Sequence, residues 1–137
     1  AALEPVIASD VDGYEIIATF KKAELETAAN NIQGAISTLD QFIKFGTVAS
    51  VYKDMANIQA AILELDTEES DAVRARLALI LNGTSKFRYI ANEILALSEL
   101  RNDEIEAAIL RLEALVVDVE TRAGVKNRAD QYLSVIK

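Results

Sequence analysis

The chain has 137 residues, 51% of them hydrophobic, with neither cysteine nor histidine and a formal charge of −8. Disulfides, zinc–thiolate sites, imidazole metal sites and Ser-His or Cys-His nucleophile pairs are thereby excluded, and an acidic balance without a dense Lys/Arg cluster speaks against nucleic acid and anionic membrane as partners. The length and apolar fraction suit one folded domain, and no apolar run approaches the roughly 20 residues that cross a bilayer.

In chain order, residues 2–9 are expected to form a short lead-in helix, with Pro5 tolerated in its first turn. Ser9, Asp10 and Asp12 then offer N-cap oxygens for a long helix over 13–29, which Asn30-Asn31 breaks. A second helix is predicted over 32–45 from Ile32, Ala35, Ile36, Leu39, Phe42 and Ile43 at i, i+3, i+4, i+7 spacing, with Gly46 expected to close it in a left-handed conformation. A third helix covers 48–65. Thr67, followed by Glu68, Glu69 and Ser70, reads as the start of a fourth, which runs to Asn82-Gly83. A fifth is expected over 86–100, a turn at Arg101-Asn102-Asp103, a sixth over 103–117 and a seventh over 121–136. No segment alternates with period two for long enough to be a strand.

Laid without gaps over Phe87 to Val116, the stretch Tyr14 to Ile43 matches at a constant offset of 73, with Ile17, Ala18, Ala23, Glu26, Ile32, Ala35, Ile36 and Leu39 meeting identical residues. The helix between the copies repeats the Ala-x4-Ala step at Ala56 and Ala61, so the offset divides into two units of 35 to 38 residues, the period of stacked helical hairpins. Close-packed helix axes need a small residue where one backbone crosses another. Ala23 with Ala35, and Ala96 with Ala108, supply one on each arm of a hairpin, while Ala107 is expected to be exposed.

This small-x11-small-large spacing across a polar turn resembles the tetratricopeptide repeat, although the aromatic near the start of its first helix and its closing proline are missing, and Val73 stands where the middle unit would carry alanine. The resemblance implies an all-α, right-handed stack of degenerate helical hairpins of about seven helices. The hairpins would lie at about 13–45, 48–82 and 86–118, with a terminal helix at 121–136. Over the whole chain, through the run RYIANEILALSEL at 88–100 and RADQYLSVI at 128–136, the sequence is similar to the C-terminal repeat domain of proteins related to the ancillary subunit of the bacterial Sec translocon. That family implies an anchoring transmembrane helix outside this chain, a domain on the periplasmic side of the inner membrane, and a part in translocon-linked chaperoning.

The family pattern also assigns the groove-facing positions of the first helix of each hairpin: Ile17 and Phe20 with Glu24 and Thr27, then Met55, Ile58, Ile62 and Leu65, then Ile90, Leu97 and Leu100 with Glu93. An apolar groove of this kind would take a protein or peptide segment. It would alternatively be closed by the terminal or lead-in helix, or by a second copy of the chain in a homodimer. No catalytic, cofactor-binding or metal-binding residue is assigned. The acids Asp66, Glu68, Glu69 and Asp71 lack the tight glycine turn of a cation loop and read as a solvated helix start, and Asn82-Gly83-Thr84 reads as a helix stop rather than a glycosylation site. The expected function is a non-catalytic interaction scaffold.

Overall fold

The computed structural model describes residues 11–136. They form seven α-helices and, among the described residues, no strand: α1 Val11–Ala28, α2 Ile32–Phe45, α3 Ser50–Glu64, α4 Ser70–Leu81, α5 Arg88–Arg101, α6 Ile105–Val117 and α7 Ala123–Ile136. The lead-in helix expected at 2–9 lies outside the described residues. No described helix is long and apolar enough to cross a membrane.

The turns explain where the helix ends depart from expectation. Asn30 and Asp103 both take positive φ, 61° and 62°, the left-handed region that Asn and Asp tolerate better than most residues. Asp103 is therefore a turn residue and α6 starts after it, at Ile105. Gly46 is not left-handed as expected: its φ is −65° and ψ 146°. Its amide donates to the Phe42 carbonyl, and a Cβ at this position would stand 2.5 Å from that oxygen, so close approach rather than positive φ calls for glycine. Thr67 does not start α4 either. The amides of Thr67 and Glu68 donate to Glu64 O and extend the closing turn of α3, and the helix begins at Ser70. Ahead of α5, Ser85 Oγ accepts from the Phe87 amide, which moves that start from 86 to Arg88.

Where the sequence suggests one domain, the chain divides after Leu63 into two compact units. In the first, α1 packs along α2, and Ala56 and Ala60 of α3 join Ala23, Ala35, Leu39 and Phe42 in one core, with the Phe20 ring edge-on to Phe42 at 5.8 Å. In the second, α4 packs on α5, α5 on α6 and α6 on α7, and α5 also touches α7. Its core holds Ala96, Leu112, Leu115, Val125, Ala129 and Leu133.

The offset of 73 carries through both cores and reaches further than the sequence match. Ala23 corresponds to Ala96, Leu39 to Leu112, Phe42 to Leu115, Ala56 to Ala129 and Ala60 to Leu133, and around them Ile16, Ile43 and Leu63 correspond to Tyr89, Val116 and Ile136. α7 is thus the counterpart of α3. Ala35 and Ala108, the small residues of the second arms, are both fully buried, and Val73 is fully buried in α4. A polar pair recurs with them at a spacing of 12. Thr38 Oγ1 donates to Glu26 at 2.5 Å, Arg76 donates to Glu64 at 2.6 and 3.0 Å, and Arg111 donates to Glu99 at 2.9 and 3.2 Å. The three glutamates are separated by 38 and 35 residues, the two unit lengths inferred from the sequence.

Candidate cleft of the first unit

Helical spacing places Phe20, Ala23, Glu24, Thr27 and Ala28 along one side of α1. Opposite them α3 presents Gln59, Ile62 and Leu63, and Leu39 of α2 forms the floor. Together they line a cleft of about 520 Å³. On its α1 side Thr27 turns its hydroxyl back to Ala23 O at 2.8 Å. Glu24 is the charged residue of the lining, and its partner Lys21 lies 3.8 Å away on the exposed side of α1.

The structure brings Phe20 and Ile62 of the expected groove together here, with Glu24 and Thr27 beside them. Ile17 is exposed on α1, and Met55 is half-buried. Ile58 is corrected to the core: it is 6% exposed, whereas Ile62, one turn further along α3, is 48% exposed. In the second unit Leu65, Leu97 and Leu100 are half-buried. Ile90 packs against the core beside Val125 of α7, so it is covered, as the sequence alternative of a terminal helix allowed. Gln59, Leu63, Ala28 and Leu39 were not assigned from the sequence, and the polar Gln59 gave no signal for the cleft. Ala107, expected to be exposed, is half-buried in a recess of about 430 Å³ lined also by Tyr89, Asn92, Leu110 and Ala114.

The counterpart of the cleft in the second unit is furnished differently. At the offset of 73, Glu24 is replaced by Leu97, Thr27 by Leu100, Gln59 by Tyr132 and Ala60 by Leu133. Phe20 is replaced by Glu93 and Met55 by Arg128, and these two form a forked ion pair from α7 to α5 at 2.5 and 2.8 Å. The hydrogen bond to Glu93 raises the Arg128 guanidinium above its already high value. Burial, and then the charge of Glu93, push the Tyr132 phenol above the ordinary 10.0. Glu93 and Glu99 are nearly inaccessible carboxylates, each held by arginine. Such pairs fix the positions of the helices they join. Among the described residues, no group of three or more acids converges to hold a metal ion.

Compared with protein-family models, with curated proteins and with solved structures, the chain matches none of them.

Proposed function

We propose that this chain is a non-catalytic protein-binding scaffold whose contact surface is the cleft of the first unit. The observation that carries the reading is the cleft itself. It is open and mostly apolar, built from three helices, and furnished with a rim of Glu24, Thr27 and Gln59 that can orient a peptide. The internal repeat supports it, because arrays of helical hairpins present extended binding faces. The resemblance to tetratricopeptide repeats, and over the whole chain to the periplasmic domain of the translocon-associated family, supports placing the scaffold on the outer side of a bacterial inner membrane. There it would be held by an anchor outside this chain and would assist translocon-linked chaperoning or complex assembly.

The test compares proteins retained from a bacterial envelope extract by the intact chain, by Ile62→Asp in the cleft, and by Leu25→Asp, an exposed apolar residue of α1 outside it. Ile62→Asp is expected to lose the specifically retained proteins with helix content unchanged, and Leu25→Asp to keep them. Equal retention by all three would end the cleft reading.

A second reading, self-association, is favoured by the stripe Leu110, Ala114 and Val117 on α6, where Leu110 is 69% and Val117 75% exposed. At the offset of 73 these positions hold Ser37, Gln41 and Lys44 in α2, so the apolar character belongs to the second unit alone. Light scattering would show a dimer that Leu110→Asp converts to a monomer.

A further inference from the structure

The second unit holds a smaller cavity, of about 260 Å³, where α5 and α7 begin. Phe87, Tyr89, Ile90 and Val125 give it apolar walls, and Lys86 and Arg122 give it two positive charges. Elsewhere in the chain Arg74, Arg76, Arg88, Arg101, Arg111 and Arg128 each donate a hydrogen bond. Arg122 makes neither a hydrogen bond nor an ion pair among the described residues. Glu120, two residues before it, is taken instead by the Tyr89 hydroxyl at 3.1 Å and by Arg88 at 3.8 Å, contacts that also hold the Tyr89 ring in place. Lys86 lies 5.5 Å over the Phe87 ring, with no carboxylate in reach among the described residues.

The backbone adds to this. Neither α5 nor α7 has an acid in its first turn. The first backbone bond of α7 runs from the Lys126 amide to Arg122 O, which leaves the amides of Ala123, Gly124 and Val125 ahead of the ladder. Thr121, beside Arg122, does not cap them, for its hydroxyl is buried and unpaired. The charged residues of the lining and the two helix ends thus share one sign, in a chain that carries −8. A small cavity lined by charge of one sign concentrates the opposite ion.

We propose that this cavity binds a small apolar carboxylic acid, its carboxylate on Arg122 and Lys86 and its body between Phe87, Tyr89, Ile90 and Val125. The planar guanidinium fork matches a carboxylate, and the volume suits a ring on a short chain. Inorganic phosphate would meet the same cations but would gain nothing from the apolar walls that it would have to face unhydrated.

The experiment titrates the full chain near neutral pH with phenylpropionate, with its neutral isostere phenylpropanamide and with inorganic phosphate, and follows backbone amide NMR shifts. Phenylpropionate is expected to move amides in 86–90 and 122–125 saturably, and the other two to bind at least about tenfold more weakly. Arg122→Gln is expected to lose the acid about tenfold or more. Lys126→Gln removes the same charge from α7 outside the lining and is expected to keep binding within about twofold. Arg122 is exposed, so helix content and thermal midpoint should stay with the parent. If they fall, Lys86→Gln serves in its place, with a loss of about threefold or more required. No saturable shift at these amides, equal binding of the neutral amide or of phosphate, or an equal loss in Lys126→Gln would each overturn the proposal.

Discussion

Glu99 is 1% exposed, and its carboxylate accepts from Arg111 at 2.9 and 3.2 Å and from Arg74 at 3.3 Å, tying α5 to α6 and α4. Both arginines remain partly in contact with water, so the two ways of breaking the cluster differ. Arg111→Met leaves a buried anion with one remaining partner and is expected to cost about 3 kcal/mol. Glu99→Gln leaves cations that water still reaches and keeps one amide oxygen as acceptor, for about 1–2 kcal/mol. Urea denaturation of the two variants measures the order, and the reverse order would contradict the geometry. Tyr132 gives a pH prediction at the same scale. Its phenol is raised in the folded protein, so the neutral form contributes stability below the unfolded value of 10.0 that is lost as pH rises through the higher folded value. Between Tyr132→Phe and the parent, the parent should lose more stability as pH is taken above that point, and a tyrosinate titration by ultraviolet absorbance should show one late phenol.

For the helices, the small residues and the turns carry the argument. Ala96 is fully buried on α5, so Ala96→Leu should overpack the second unit by roughly 1–3 kcal/mol. The exposed Ala75 of α4 should accept leucine within about 0.5 kcal/mol. Equal costs would argue against the packing described. Leu39 and Leu112 occupy equivalent, fully buried positions in the two cores. Truncating each to alanine should cost about 2–5 kcal/mol. Chemical denaturation measures both, and a cost under about 1 kcal/mol at either position would contradict its burial.

In the whole molecule, the absence of histidine and cysteine leaves no side chain whose ordinary pKa lies between pH 6 and 8. The thermal midpoint followed by circular dichroism should accordingly be level across that interval at fixed ionic strength. A pronounced slope would reveal a strongly shifted carboxylate or amine.

The seven helices were legible because Ile32, Ala35, Ile36, Leu39 and Phe42, and their counterparts along the chain, recur at the helical period, and that period is a local property of the chain. The repeat was legible in the same way, as residues such as Ala23 and Ala96, both buried, recur at a constant offset. Helix starts were less so, since Thr67, Ser70 and Ser85 all carry capping oxygens and only the folded chain decides which backbone amide or neighbouring acid each one meets. Ser70 donates to Glu104, a residue 34 positions away. The faces were harder again. Ile58 and Ile62 read alike in sequence, but a helix turns a full cycle in 3.6 residues, so a small difference in rotation sends one into the core and leaves the other 48% exposed. The local pattern of side chains by itself determined the helices and the duplication. Which apolar side chains are covered, and that α1 and α3 of the first unit leave a cleft between them, only the tertiary structure decided, because burial depends on what another helix brings to the same place.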